Sequence, residues 1–148
     1  LVGDGELRGE AEALAHHLGA EGNVHFLGNL PNVQPVLRAS NLLFMPSRYE
    51  GLPIVGLEAG CAGVPVLASS IVELREVGKH YGWIYSEDNS VEDFAIRLTT
   101  IRKNQTAIMR RAEEMSAMFQ ERYGIARCAQ EYLTQLQHLL RLKKQTAV

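Results

Sequence analysis

Cysteine is scarce in this sequence, with two in 148 residues, and Cys61 and Cys128 stand far apart in dissimilar segments. That excludes a disulfide scaffold and the close pairs of a zinc or redox motif, and reads as two reduced, buried, inert thiols of a cytoplasmic protein. An excess of one charge is also missing: 15 basic residues against 17 acidic ones give a formal charge of −2. The basic residues are scattered apart from Arg141, Lys143 and Lys144, so a nucleic-acid footprint is absent. No basic segment precedes an apolar run, as a signal peptide requires. The stretch from Leu52 to Ile71 has Glu58 as its single charge, yet it also holds Pro53, Pro65, Gly56, Gly60 and Gly63. A carboxylate at mid-bilayer is costly, and the stretch is not read as a membrane span. The five histidines show no metal-ligand spacing. Gly3-Asp4-Gly5 misses the dinucleotide fingerprint because Arg8 holds its third glycine position, and Ser69 and Ser70 lack a nucleophile-elbow pattern and read as loop caps.

What is present is 46% apolar and 22% charged, in a chain near the commonest size of a single domain. Apolar runs of strand length alternate with helical patterns throughout, which predicts a mostly parallel sheet covered by helices. Leu1-Val2 reads as the end of a strand and Gly3-Asp4-Gly5 as the turn after it. Asp4 is expected to cap a helix with Leu7, Ala11, Leu14 and Leu18 on one face, ended by Gly19 in a left-handed position. Further strands are predicted at Val24–Leu27, Leu42–Pro46, Val64–Ala68 and Gly82–Tyr85. Helices are predicted around Val33–Leu37, from Pro53, over Val72–Val77, and at 91–103, 106–122 and 125–143. Ser90 with Asp93 resembles a capping pair. The final helix is amphipathic, with Ile125, Cys128, Ala129, Tyr132, Leu133, Leu136, Leu139 and Leu140 on one face.

Ligands of open α/β sheets collect at the carboxyl ends of the strands, which directs attention to the loop Ser47 to Pro53. Glu50 stands just before a helix start, and Glu58, eight residues later, falls in that helix's second turn. Between them the amides of Gly51, Leu52 and Ile54 are predicted to be unpaired donors at the positive end of the helix, an arrangement that binds anions. Two acids flanking such donors suit a ligand with both hydroxyls and phosphate. The competing reading makes Glu50 an exposed helix-start charge and Glu58 a surface residue. Against it, Glu58 is surrounded by Ile54, Val55, Leu57, Ala59, Cys61 and Ala62, where a carboxylate needs a partner. Pattern alone leaves both readings open.

The run Glu50-Gly51-Leu52-Pro53-Ile54-Val55-Gly56-Leu57-Glu58 resembles the paired-glutamate signature of retaining glycosyltransferases of the two-domain Rossmann-like (GT-B) type, in the large GT4 family. Leu1 to Gly5, Val24 to Gly28, Met45-Pro46-Ser47 and Ala59 to Ala68 resemble the same family in order and spacing, covering roughly residues 1 to 85. The resemblance implies an α/β Rossmann-like domain, residues 1–148, that binds a nucleoside-diphosphate sugar and lacks its first strand and the N-terminal acceptor domain. It implies a catalytic Glu50 that meets the donor sugar's hydroxyls. The amides of Gly51, Leu52 and Ile54 would meet the diphosphate, Glu58 the ribose, and Leu30 and Asn32 the base, while Gly3 and Gly5 would let the chain pass close to the ligand. Pro53 stands where many relatives have glycine, and the family's phosphate-binding Arg and Lys belong upstream of Leu1. No cofactor or metal is implied beyond the donor itself.

The expected reaction is transfer of a hexosyl unit, with retention, to an acceptor hydroxyl on a glycan, lipid or small molecule, in polysaccharide biosynthesis. The alternative is a non-catalytic nucleotide-sugar-binding module or remnant subunit that works with a partner chain, since in the family the final helix packs on the missing domain. Alone, the chain is expected to be inactive. Its expected location is cytoplasmic or peripheral to the inner face of the membrane, with no transmembrane segment and no nucleic-acid partner.

Overall fold

The computed structural model describes residues 1–145, with side chains as far as Leu142, so the side chains of Lys143 and Lys144 in the basic cluster lie outside the described residues. The chain divides into two compact units, Leu1–Val36 and Leu37 onward.

The first unit holds helix α1 (Arg8–His17) and the start of α2 (Gln34–Ala39). α1 stops as expected, with Gly19 at φ +62°, a backbone conformation that costs glycine little because it has no Cβ. Its start corrects the sequence reading. Leu7 occupies the cap position without a side-chain cap, while Asp4 accepts from the Gly5 amide at 2.9 Å and pairs with Arg8 at 3.3 Å. The face expected to be buried is open as well: Leu7, Leu14 and Leu18 are exposed and Ala15 is the buried residue.

Among the described residues no strand forms at Leu1–Val2 or Val24–Leu27, a second correction. The two segments meet through an isolated antiparallel bridge, where the Gly3 amide donates to the Gly28 carbonyl at 2.7 Å, and through two bonds at Leu1, from its amino group to the His25 carbonyl at 2.7 Å and from the Leu27 amide to its carbonyl at 2.9 Å. Both glycines have positive φ, +115° and +66°. Such angles leave the extended region and stop a ladder from propagating.

The second unit contains β1 (Leu43–Met45), α3 (Ile54–Cys61), β2 (Val66–Ala68), α4 (Val72–Gly78), β3 (Ile84–Tyr85), α5 (Val91–Lys103), α6 (Gln105–Tyr123) and α7 (Ile125–Gln145). Its described strands form a parallel sheet in the order β1-β2-β3, paired Leu43 to Val66 and Leu67 to Ile84 in register. Parallel neighbours need a crossover, which α3 and α4 supply. The central strand β2 is buried at all its residues, which accounts for the unbroken apolar run there. Leu67, Phe94 and Ile101 form the heart of the core, with Leu42, Ile84 and Ile108 packed on it.

The predicted cap of α5 is present: the Asp93 amide donates to the Ser90 hydroxyl at 3.1 Å. The Asp93 carboxylate in turn accepts from the Ser86 hydroxyl at 2.7 Å and the Glu87 amide at 2.8 Å. These bonds, with Arg97 adding to them, hold its pKa below the usual carboxylate range. Along α7, Ile125, Tyr132, Leu133, Leu136, Leu139 and Leu140 are exposed. Both cysteines are free thiols, but half-buried rather than buried. Among the described residues no helix is long and apolar enough to cross a membrane, and no group of three or more His, Cys, Asp or Glu could hold a metal ion.

Candidate functional site

The carboxyl ends of β1 and β2 run into Pro46-Ser47-Arg48 and Ser69-Ser70-Ile71. There a cleft of about 630 Å³ opens, walled by Ser47, Arg48, Ser69, Ile71, Asn89 and Phe94 among others. A smaller cavity of about 370 Å³ lies at the opposite, amino ends of β2 and β3, beside Val64, Trp83 and Arg111. The indole N–H of Trp83 is buried without a partner among the described residues. None of the predicted site residues lines that cavity. None of them lines the larger cleft either, but Ser47, which does, donates to Glu50.

Helix α3 begins after Pro53, which is buried and whose missing N–H costs nothing at a helix start. The first helical bond runs from the Leu57 amide to the Pro53 carbonyl at 3.1 Å. The Ile54 amide, expected to be unpaired, instead donates to the Leu52 carbonyl at 2.8 Å and closes a tight turn. The amides of Gly51, Leu52 and Val55 have no acceptor among the described residues. The helix start therefore leaves Gly51, Leu52 and Val55 with unpaired amides among the described residues, and Ile54 is not one of them.

Two glycines set how closely α3 packs. A Cβ on Gly56 would come within 3.0 Å of Trp83 Cζ2 and 3.2 Å of the Met45 sulfur, and one on Gly60 within 2.6 Å of the Phe119 ring. Helix-interior glycine is disfavoured by up to about 1 kcal/mol relative to alanine. Here it lets the helix backbone approach the aromatic side chains of β3's entry and α6. The buried side of α3 is Gly56, Ala59 and Gly60, and Glu58 lies between that side and the exposed Ile54 one turn earlier.

Both glutamates are half-buried. One oxygen of Glu50 accepts from the Ser47 hydroxyl at 2.7 Å. The Glu58 carboxylate has no hydrogen bond or ion pair among the described residues. Its charge is felt by Cys61, whose thiol pKa is raised first by burial and then by Glu58. The partner demanded by its apolar setting is therefore not supplied among the described residues.

Gly3, Gly5, Leu30 and Asn32 belong to the first unit. Gly3 needs its glycine for φ +115°, whereas a Cβ on Gly5 would meet nothing within 4 Å. Leu30 is half-buried, and the exposed Asn32 accepts the Gln34 amide on Oδ1 at 3.0 Å, a turn that starts α2.

Sequence reasoning missed the staple across the loops after β2 and β3. The Ser70 amide donates to Asn89 Oδ1 at 2.7 Å, and Arg75 donates to the Ser70 hydroxyl from Nε at 2.8 Å. Asn89 has φ +61°, a left-handed conformation that asparagine tolerates better than most residues. The Asp88-Asn89 dipeptide after a strand was the available signal. Arg75 also lies over the Tyr85 ring, 5.2 Å from its centroid. Burial pushes the Tyr85 phenol up to about 12 despite that cation.

The protein family described as glycosyl transferases group 1 matches residues 1–121. The Vi polysaccharide biosynthesis protein VipC/TviE of Salmonella typhi is 33% identical over 132 residues, 84% of this chain and 22% of that protein. The lipopolysaccharide glucosyltransferase WaaG of Escherichia coli is 43% identical over 60 residues, 40% of this chain and 16% of that protein. Among solved structures, Anabaena Alr3699/HepE in complex with UDP and glucose matches with a TM-score of 0.85 at 22% identity, over 93% of this chain and 40% of that one. This likeness shows a shared fold. The chain spans less than half the length of these relatives, 22% of VipC/TviE and 40% of HepE.

Proposed function

This chain belongs to the glycosyl transferases group 1 family, and from that premise we propose that it binds the donor of a retaining, GT4-type hexosyltransferase. The donor is a nucleoside-diphosphate sugar. Its diphosphate lies against the unpaired amides of Leu52 and its neighbours, its ribose hydroxyls donate to Glu58, and its sugar hydroxyls donate to Glu50. In the reaction the bond from the anomeric carbon to the diphosphate breaks and one to the acceptor oxygen forms, with the acceptor's proton leaving on the diphosphate. Amides fixed at a helix start meet the charge that develops on the leaving group without reorganising, and each such donor is worth roughly 10²–10³ in rate where it has been removed elsewhere.

The observation that carries this reading is Glu58. A half-buried carboxylate without a partner among the described residues, one turn into a helix whose start leaves the amides of Gly51, Leu52 and Val55 unpaired, is a poor structural element and a good receptor for hydroxyl donors. The Salmonella and Escherichia relatives, named for polysaccharide and lipopolysaccharide synthesis, favour an acceptor in surface-glycan assembly, at the cytoplasmic side of a membrane. HepE, which holds UDP and glucose, makes UDP-glucose the first probe.

A calorimetric titration with UDP-glucose, GDP-mannose and ADP-glucose, repeated on Glu58→Ala, tests the proposal. Hydrogen bonds to a charged group contribute about 1.5–3 kcal/mol, so the variant should bind its best donor roughly 10- to 150-fold more weakly. Equal binding by the two proteins removes Glu58 from the site. The exposed apolar face of α7 favours a second reading, in which the chain works as a donor-binding module with a partner chain.

A further inference from the structure

We propose that Ser47 is a positioning residue for Glu50, and that its hydroxyl aims the carboxylate before the donor sugar arrives. The inference rests on the reading of Glu50 as the sugar-binding acid and adds to it the group that sets its orientation.

Ser47 sits where the chain leaves the sheet. Two residues earlier, the Met45 carbonyl accepts from the Ser69 amide at 3.0 Å, which ties the end of β1 to the end of β2. Glu50 sits three residues further on, in a loop whose Arg48, Tyr49, Gly51 and Leu52 are all exposed. The Ser47 hydroxyl donates to Glu50 Oε1 at 2.7 Å, a usual length for a bond from a neutral hydroxyl to a carboxylate. Among the described residues this is the one hydrogen bond to that carboxylate.

The bond leaves most of the receptor's capacity unspent. A carboxylate offers about four acceptor positions; Ser47 takes one on Oε1, and Oε2 remains open. A glutamate left to rotate would have to be ordered by the ligand, and that entropy would be subtracted from binding. Ser47 settles the orientation beforehand. Ser47 itself lines the cleft.

The test compares each sugar nucleotide with its free nucleoside diphosphate, because the diphosphate and ribose contacts are common to both. The ratio of the two dissociation constants isolates what the sugar adds. UDP-glucose with UDP, GDP-mannose with GDP, and ADP-glucose with ADP are titrated into the parent chain, and the best pair is carried to the variants. Ser47→Ala should lower the preference for the sugar nucleotide about tenfold while leaving affinity for the free diphosphate unchanged. Ser47→Thr, which keeps the hydroxyl, should restore it. Preserved preference in Ser47→Ala overturns the proposal, and so does an equal loss of affinity for both ligands in a folded variant, since that marks a structural role. Should Ser47→Ala fail to fold, Ser47→Cys replaces the hydroxyl with a poor donor of similar shape. Loss of preference in that variant supports the proposal and its retention overturns it. A parent chain that binds no sugar nucleotide, or binds the free diphosphate equally well, refutes the donor-site reading itself and takes this inference with it.

Discussion

Replacing Gly60 with alanine should destabilise the protein, although helix propensity taken alone favours the opposite. The added Cβ would come to 2.6, 2.6 and 2.7 Å from three atoms of the Phe119 ring. That ring is 1% exposed and is held from its other sides by Tyr81, 4.0 Å away between centroids, and by Trp83 in a stacked arrangement at 6.3 Å. Its one relief is toward the cavity of about 370 Å³ that it lines together with Gly60 and Trp83. Overpacking of this kind costs about 1–3 kcal/mol, and exchanging a helical glycine for alanine returns at most about 1 kcal/mol. Taking the middle of the first range against the full gain, the balance is a loss of about 1 kcal/mol, or roughly 2–4 °C in Tm for a chain of this size. Thermal melts followed by circular dichroism measure it. Gly9→Ala is the control: Gly9 lies within α1 and a Cβ there meets nothing within 4 Å, so that variant should be neutral or slightly stabilised. Combining Gly60→Ala with Phe119→Leu should recover part of the loss, because the two sites share one contact. A Gly60→Ala protein as stable as its parent would refute the argument that α3 is seated by backbone approach to Phe119.

Asp93→Asn should be less stable than the parent at neutral pH, with the difference vanishing in acid. The folded protein holds the Asp93 pKa below its usual range, mainly through the Ser86 hydrogen bond. Its contribution is therefore complete above that range and fades as pH falls through the lower folded value. Urea melts across acidic and neutral pH check this, and an equal deficit at every pH refutes it. Changing Leu136 and Leu140 together to glutamine should alter stability little, about 0.5 kcal/mol or less for each, because they are 53% and 60% exposed. Gel filtration should show the parent associating at high concentration and this variant not; a parent monomeric throughout argues against α7 as an association surface.

Much of the second unit was legible because its signals are local. The continuous apolar run at β2, Pro53 at the start of α3 and the Ser90–Asp93 cap each act within a few residues, and each appears in the structure. The first unit was less legible. Leu1–Val2 and Val24–Leu27 have strand composition, but a strand exists only through its neighbour, and with glycines at positive φ those segments share a few backbone bonds and no continuous ladder. The Asp4 cap failed for a related reason: Arg8 on the next turn and the Gly5 amide compete for the same carboxylate.

By itself the sequence determined the order of elements in the sheet-bearing unit and placed a pair of acids around a helix start, since spacing along one chain is enough for both. Tertiary structure alone decided which amides there remain unpaired, that Glu50 is held by Ser47 while Glu58 is held by nothing, and that Gly56 and Gly60 serve packing against Trp83 and Phe119. Those outcomes depend on distances between side chains and amides in the folded chain, at Gly60 and Phe119 across most of a helix pair, and no local pattern encodes them.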